Sequence, residues 1–210
     1  MSMSNPSAAR LATAARSWSW TSVQSCAAVV VLAATVMVVA AGFGTSNAAT
    51  NYLRQHPAFA AQARSAGLSL GQALALQSRV DGYLRTIGGL QMAANQIDIN
   101  GNRLTVAVPG ESRARSLTAS SSTANVVICF VGDICMWSSP NHVGDQMNVG
   151  KCGQMNYMPW SGWGSWINAQ TLGDRATFYR SDKSIYTITC ANCASASFGW
   201  TPGVLVKPCW

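Results

Sequence analysis

The clearest periodic pattern of hydrophobic positions lies in the first half of the chain and predicts a helix. Ser69 and Gln72 have the spacing of a capping box, in which the two side chains satisfy first-turn backbone donors. Gly88-Gly89 is typical of a helix end, because glycine adopts a left-handed cap without a Cβ clash. Between these signals, apolar side chains recur at helical spacing: Leu70, Leu74, Val80, Tyr83, Leu84 and Ile87.

A two-residue alternation follows and predicts a β-hairpin. Apolar residues alternate with others over 97–99 and 104–108, and Asn100-Gly101 between the two runs suits a primed turn. A helix and a hairpin together bury little area. We therefore expect this α+β segment, residues 49–109, either to dock on another part of the chain, with the C-terminal domain as the candidate, or to be marginally stable.

Residues 110–125 have the composition of a linker, since they are small, polar and almost free of large apolar side chains. They mark the predicted domain boundary. Arg113 and Arg115 are candidate points for a proteolytic nick. The linker is either a simple spacer, which is the favoured interpretation, or the place where residues 49–125 are released as a propiece.

From residue 126 onward, short apolar runs alternate with Gly, Pro, Asn and Asp, and no helical periodicity is sustained. This pattern predicts an all-β C-terminal domain, an antiparallel sandwich of six or more short strands. Such a small sandwich needs additional cross-links for stability. The strand candidates are residues 126–130, 133–137, 165–167, 176–179, 185–189 and 204–206.

The N-terminus has the pattern of a secretory signal. Arg10 and Arg16 precede an apolar run over residues 27–43, and Ser46-Asn47-Ala48 is a small-x-small cleavage site. We predict a signal peptide over residues 1–48, cleaved after Ala48, and a secreted protein. The alternative is an uncleaved anchoring helix, since a span needs roughly 17 to 25 apolar residues. A membrane association is predicted only in that case.

The chain carries a net charge of +7, which falls to +5 when Arg10 and Arg16 leave with the signal. The basic residues are scattered singly and form no stripe interleaved with aromatic residues. This distribution indicates solubility and weak electrostatic attraction to anionic surfaces, and it argues against nucleic-acid binding.

The six cysteines after the signal all lie between residues 129 and 209, and we predict structural disulfides: Cys129, Cys135, Cys152, Cys190, Cys193 and Cys209. Six cysteines allow fifteen pairings. Our preference pairs the first three partly among themselves and Cys209 with Cys190 or Cys193. A zinc site or a reactive thiol at Cys190-x-x-Cys193 is the disfavoured alternative, because there is no second C-x-x-C.

Trp137 and Gly144 have the aromatic-x6-glycine spacing that begins a βγ-crystallin Greek-key motif. Residues 164–171 and 176–179, which include Trp166, Phe178 and Tyr179, are similar to a stretch of bacterial secreted crystallin-like proteins. These are grouped with metalloproteinase inhibitors as peptidase inhibitor family thirty-six. The resemblance implies a crystallin-like Greek-key sandwich over residues 126–210.

The chain departs from that family pattern at three places. His142 and Gln146 stand where an aromatic residue and a serine are usual, and no second aromatic-x6-glycine follows Phe178 or Tyr179. Some family members bind calcium through paired Asp/Asn followed by Ser/Thr-Ser. Residues 181–184 offer only one carboxylate, so we predict no cofactor and no metal.

A tryptophan-rich segment supplies the candidate contact surface: Tyr157, Trp160 and Trp163. Tyr and Trp are common interface anchors, because they bury a large area at small entropic cost. Core packing is the alternative for Trp160 and Trp163 and is our prediction for Trp166.

The sequence contains no recognisable catalytic motif, and its two histidines are His56 and His142. We predict that it is not an enzyme. The resemblance implies a secreted inhibitor that blocks an extracellular metalloprotease through a rigid surface. The alternatives are a module that binds carbohydrate or cell wall, or acts as an antimicrobial, and a purely structural, stress-resistant domain.

Overall fold

Three helices begin the region that the computed structural model describes, which comprises residues 43–118, 128–200 and 204–209. They are α1 (Phe43–Gln55), α2 (Pro57–Ser65) and α3 (Leu70–Ile87). The predicted capping box starts α3: Gln72 N donates to Ser69 Oγ at 3.2 Å, and Ser69 N donates to Gln72 Oε1 at 3.0 Å. Gly88 ends the helix with a φ of 72°. The helix prediction is therefore confirmed, whereas α1 and α2 were not predicted.

The predicted signal cleavage site lies within α1, and most of the preceding apolar run lies outside the described residues. Among the α1 side chains that the structure describes, Ala49 and Tyr52 are buried, and both follow Ala48. A chain cut after Ala48 keeps both of these packed residues. In the described residues, no helix is long and apolar enough to cross a membrane.

The predicted hairpin is present and belongs to a larger sheet. Strands β1 (Leu90–Ala93), β2 (Gln96–Ile99) and β3 (Asn102–Thr105) pair in sequence order. Asn100 and Gly101 both have positive φ, at 56° and 84°, as a primed turn requires.

Eight antiparallel strands cover about half of the described chain after residue 128. They are β4 (Ile134–Ser139), β5 (Val143–Val149), β6 (Asn156–Tyr157), β7 (Gly162–Asn168), β8 (Thr177–Tyr179), β9 (Ile185–Thr187), β10 (Cys193–Trp200) and β11 (Leu205–Lys207). Five predicted strands correspond to β4, β7, β8, β9 and β11. The prediction for 126–130 is wrong at residues 128–130, which form a loop, and residues 126–127 lie outside the described residues.

In chain order, these eight strands form two groups of four: the first group is β4 to β7 and the second is β8 to β11. Each group places one of its strands in the sheet that contains the other three strands of the other group. A seven-stranded sheet has the order β1-β2-β3-β5-β4-β7-β10, and a four-stranded sheet has the order β6-β11-β8-β9. Three strands of the first group share the larger sheet, while its third strand, β6, lies in the smaller one. The second group does the reverse, because its third strand, β10, lies in the larger sheet. Neither sheet is therefore built from one group alone.

The hydrophobic core lies on the inner face of the larger sheet. Strand register places one side chain from each of five neighbouring strands in a single buried row: Ile97, Leu104, Met147, Met136 and Trp166. Leu76 and Val80 of α3 belong to the same buried cluster. The smaller sheet joins it through Phe178, whose ring centroid lies 5.2 Å from Phe198 and 5.6 Å from Trp200.

The described part of the predicted linker, residues 110–118, packs against the β region. Ala114 N donates to Gly144 O at 3.2 Å, and Ala114 and Leu117 are buried. Arg115 forms an ion pair with Glu111 at 2.9 Å. The candidate nick points Arg113 and Arg115 therefore lie where neighbouring backbone is paired, and residues 119–125 of the predicted linker lie outside the described residues.

The predicted domain boundary does not separate two packed units either. Pairing of β3 with β5 joins the segment 49–109 to the C-terminal strands in one sheet. The described residues all belong to one compact unit, Ala40–Trp210.

Candidate binding surface

The three aromatic residues predicted to form one contact surface lie in different environments. Trp160 is only 7% exposed, and its Nε1 donates a 2.8 Å hydrogen bond to the hydroxyl of Tyr83 in α3. The prediction for Trp160 is wrong, because a helix far away in sequence covers this side chain. Tyr157 is 41% exposed and Trp163 is 66% exposed.

Trp163 lies on β7, directly opposite Gly199 of β10. Because glycine has no side chain, nothing on β10 covers the indole from that position. Trp166, three residues further along β7, is buried on the inner face. Trp163 is therefore a single exposed aromatic residue rather than part of a tryptophan cluster.

Tyr157 belongs to an exposed row that crosses the four-stranded sheet. Residues directly opposite each other on neighbouring strands share a face. The register pairs Leu205 with both Tyr157 and Tyr179, and Tyr179 with Ile185. Tyr157 and Ile185 are exposed, whereas Leu205 and Tyr179 are partly exposed. This sheet face therefore presents an apolar row to solvent.

A fully exposed stretch of chain precedes Tyr157. All residues from Lys151 to Met155 are exposed, and Asn156 next to them is 3% exposed. We call residues 151–155 the exposed loop. Met155 is 49% exposed although its side chain is apolar.

The exposed loop is fixed at both ends by buried groups. Buried Asn102 accepts a hydrogen bond from Gly150 N at 3.3 Å and donates one to Asn156 Oδ1 at 2.7 Å. Asn156 Nδ2 also donates to Gln154 O at 3.2 Å. The Cys152–Cys209 disulfide holds the middle of the loop to the end of β11, with a Cα–Cα distance of 4.9 Å. The loop is thus exposed outside and braced inside.

The six cysteines among the described residues all form disulfides, and the pairing partly corrects the prediction. Cys129 pairs with Cys135, within the group of three as we expected. Cys190 pairs with Cys193, so the C-x-x-C is a disulfide rather than a zinc or thiol site. Pairing of Cys209 with Cys190 or Cys193 is wrong, because those two satisfy each other and Cys209 lies beside the exposed loop.

The largest polar network connects α3 to β5. Arg79 Nη2 lies 2.6 Å from Asp145 Oδ1 and 2.7 Å from Oδ2, and Tyr83 donates to Oδ2 at 2.5 Å. Ala107 N donates to Oδ1 at 2.8 Å, so the buried carboxylate is fully surrounded by donors. Burial, and next the Asp145 charge, raise the pKa of Tyr83 far above its usual value. The Tyr83 hydroxyl therefore stays protonated and can donate.

The aromatic-x6-glycine segment forms the tight turn between β4 and β5. Trp137 is buried and its ring contacts that of His142 edge to face, at 4.9 Å between centroids. Gly144 has a φ of 85°, and a Cβ at this position would lie 2.2 Å from Ser138 Oγ. Only glycine fits this place without displacing Ser138.

The serine-rich turn considered for calcium uses its carboxylate internally. Asp182 Oδ1 accepts hydrogen bonds from Ser184 N at 2.9 Å and from Ser184 Oγ at 2.6 Å. These bonds lower the pKa of Asp182. Within residues 43–118, 128–200 and 204–209, no three His, Cys, Asp or Glu side chains converge as a metal site would require.

Sequence reasoning missed the exposed loop and the polar network. Gly153 beside Cys152, in a polar stretch between two apolar runs, was an available signal for a cross-linked loop. Arg79 and Asp145 are 66 residues apart, and no local pattern connects them.

Compared with known proteins, the chain matches no family model, no curated protein and no solved structure.

Proposed function

We propose that the chain is a secreted, βγ-crystallin-like peptidase inhibitor whose exposed loop, residues 151–155, enters the active-site cleft of an extracellular metalloprotease. Three disulfides are compatible with an extracellular protein. The braced exposed loop is the single observation that carries the inhibitory function. The fold and the loop support the proposal separately.

Strand connectivity supports the crystallin-like fold. A Greek key places its fourth strand beside the first, in the spatial order 4-1-2-3. The larger sheet contains the order β7-β4-β5, and the smaller sheet contains the order β11-β8-β9. If the strands are numbered 1 to 4 within each group, both orders read 4-1-2. The third strand of each group crosses to the other sheet, and this exchange supports the proposal of an interlocked pair of Greek keys.

The second group adopts this arrangement without the aromatic-x6-glycine motif. Its first turn, residues 180–184, is closed by Lys183 at a φ of 66° and by the bonds between Asp182 and Ser184. Arg180 N also donates to Ser184 O at 3.0 Å. A shorter turn therefore replaces the one that requires Gly144 in the first group.

The geometry of the exposed loop suits a substrate-like inhibitor. A preordered loop loses less conformational entropy on binding than a flexible one. Strand β6 follows the loop directly and lies at the edge of its sheet, so one side of its backbone is free to pair with an extended cleft. Met155 and Tyr157 are two residues apart and both exposed, and Met155 suits an apolar specificity pocket.

The internal brace also explains how the loop resists its target. A cut between Gly153 and Met155 leaves the first end tied by the Cys152–Cys209 disulfide. The second end stays tied through Asn156 to Asn102. Both new ends therefore remain in place, and the cleaved loop is not released from the protease.

The test is inhibition of a thermolysin-like protease by the secreted chain including residues 49–118, since β3 carries Asn102. We expect an inhibition constant below about a micromolar, roughly 8 kcal/mol of binding free energy. Met155→Lys should weaken inhibition by about a hundredfold, because it places a charge in an apolar pocket.

Leu90→Lys is the matched control, since Leu90 is also an exposed apolar residue on an edge strand, opposite Asp98. It should leave inhibition unchanged. Equal effects of the two variants would contradict the assignment to the loop. Absence of inhibition by the wild-type chain would contradict the function itself.

A second candidate function, binding to cell-wall carbohydrate, is favoured by one observation. The indole of Trp163 is 66% exposed in a well-packed sheet, and aromatic faces of this kind bind sugar rings. Pull-down on purified cell-wall glycan should retain the wild-type chain and lose Trp163→Ala. Retention of Trp163→Ala at the wild-type level would exclude this surface.

A further inference from the structure

A small polar pocket lies on the outer face of the seven-stranded sheet, away from Trp163. Arg103 of β3 and Asn148 of β5 are directly opposite each other in the register and form its floor. Phe130 and Asp133, from the loop closed by the Cys129–Cys135 disulfide, form one wall. Lys151 also lines the pocket.

The pocket has the size of one six-membered ring. Its volume is about 170 Å³. A cavity of about 150 Å³ accommodates a benzene molecule, and drug-sized ligands need roughly 300 Å³ or more. The occupant is therefore a single small ring and not an extended peptide or a lipid.

Two glycines make room for the charged groups around the pocket. A Cβ on Gly101 would lie 2.1 Å from Lys151 Nζ, and a Cβ on Gly150 would lie 2.3 Å from Asp133 Oδ1. Side chains at either position would displace the ammonium or the carboxylate. Glycine at these two positions therefore leaves room for the Lys151 ammonium and the Asp133 carboxylate beside the pocket.

The cations exceed the anions around this pocket. Arg103 and Lys151 line it with one carboxylate, that of Asp133, while Asp98 lies opposite Arg103 on β2 and does not line the pocket. Among the described residues, ion pairs within 4 Å join only Arg79 to Asp145 and Arg115 to Glu111. The guanidinium of Arg103 and the ammonium of Lys151 therefore have no carboxylate at ion-pair distance, and the pocket attracts an anion.

The remaining groups favour hydroxyls and an apolar face. Asp133 Oδ2 accepts a weak, 3.4 Å hydrogen bond from Asn148 Nδ2, which leaves acceptor capacity. Burial raises the pKa of the Asp133 carboxyl, and Asn148 and Arg103 partly oppose that shift. Phe130 is 52% exposed at the rim, where a ring can lie against it.

We propose that this pocket binds one acidic monosaccharide unit, a six-membered sugar ring that carries a carboxylate. Arg103 and Lys151 bind the carboxylate, Asp133 and Asn148 bind ring hydroxyls, and Phe130 packs against the C–H face of the ring. Charge-assisted bonds from a guanidinium to a carboxylate are stronger than neutral ones. This site does not rest on protease inhibition, and it adds a sugar-binding surface distinct from Trp163.

The test is titration of the ¹⁵N-labelled full secreted chain with sodium glucuronate, followed by the backbone amide signals of Gly101 and Gly150. We expect saturable shifts and an affinity at least about tenfold above that for glucose, the factor that 1.4 kcal/mol represents. Arg103→Gln should lower the glucuronate affinity about tenfold. Arg54→Gln, which removes an exposed charge on α1, should leave it unchanged.

Phe130→Ala supplies a second variant, because it weakens binding without changing charge. Near-ultraviolet circular dichroism identifies a variant that fails to fold. Equal affinities for glucuronate and glucose, or the same shifts with sodium sulfate alone, would overturn the proposal, as would the absence of saturable shifts. Loss of protease inhibition in Met155→Lys with normal glucuronate binding would separate the two sites.

Discussion

Strands β4, β5 and β7 lie in a seven-stranded sheet that continues into the first hairpin, whereas β8, β9 and β11 lie in a sheet of four short strands. In the first group, buried Asp145 is bound by Arg79 and Tyr83 of α3. In the second, Cys209 follows β11 after Pro208 and forms a disulfide with Cys152 of the exposed loop. The larger sheet is thus joined to a helix by a polar network and carries two short-range disulfides, while the smaller sheet is held by a disulfide between residues distant in sequence.

The largest effect should come from the smaller sheet. Replacing Cys152 and Cys209 together by serine opens a link across 57 residues and should lower the free energy of unfolding. The expected loss is about 4 kcal/mol, because a long loop gains the most entropy when unfolded. Urea unfolding followed by tryptophan fluorescence measures this loss.

The matched control is the double serine replacement of Cys190 and Cys193, which are three residues apart. Its expected loss is about 2 kcal/mol, since the closed loop is short. If the two double variants lost equal stability, the disulfide at β11 would have no special role in the smaller sheet.

The next largest effect should come from the network in the larger sheet. Asp145→Asn removes the charge that Arg79 and Tyr83 bind and should cost about 3 kcal/mol, as breaking a buried pair does. Asp182→Asn, in an exposed turn, should change the free energy of unfolding by less than about 0.5 kcal/mol. A loss below about 1 kcal/mol for Asp145→Asn would show that the network contributes little.

Tyr83→Phe should have a smaller and pH-dependent effect. It leaves Trp160 Nε1 without its acceptor and should cost about 2 kcal/mol at neutral pH. Burial raises the folded-state pKa of Tyr83, so its contribution is complete below the unfolded pKa of about 10 and is lost as pH rises toward the folded pKa.

The measurement compares wild type with Tyr83→Phe by urea unfolding at pH 8 and pH 10.5. The stability difference between them should be smaller at the higher pH. Tyr186→Phe, at an exposed tyrosine, is the control and should show no such change. A difference that is constant with pH would contradict the shifted pKa.

Trp163→Ala should have the smallest effect on stability, within about 0.5 kcal/mol, because its indole is exposed. Trp160→Ala removes a core side chain and should be strongly destabilising. Thermal unfolding of both variants measures the contrast. A large loss for Trp163→Ala would mean that the indole packs on the larger sheet instead of serving a contact surface.

Local signals in the sequence predicted the elements that local interactions determine. Ser69, Gln72 and Gly88 specify the ends of α3 within one chain segment, and Asn100-Gly101 specifies the hairpin turn. Strands β5 and β10 were missed because their sequences are rich in polar and small residues. Gln146 and Asn148 of β5 are buried on the outer face, which period-two alternation does not reveal.

The candidate site was less predictable, because it depends on contacts between distant residues. The exposure of Trp163 and the burial of Trp160 are decided by Gly199 and Tyr83, which are far away in sequence. The brace of the exposed loop joins Asn102 to Asn156, 54 residues apart. Composition predicted that the cysteines form disulfides, but their pairing depends on where the chain places them.

The exchange of β6 and β10 has a consequence for how the chain reaches this structure. Among the described strands, β6 pairs with β11, the last strand of the second group. The first group cannot complete its pairing until β11 has been synthesised. Pairings between distant segments also slow folding, because loop closure precedes their contacts. The first group therefore stays incomplete until the second group is in place.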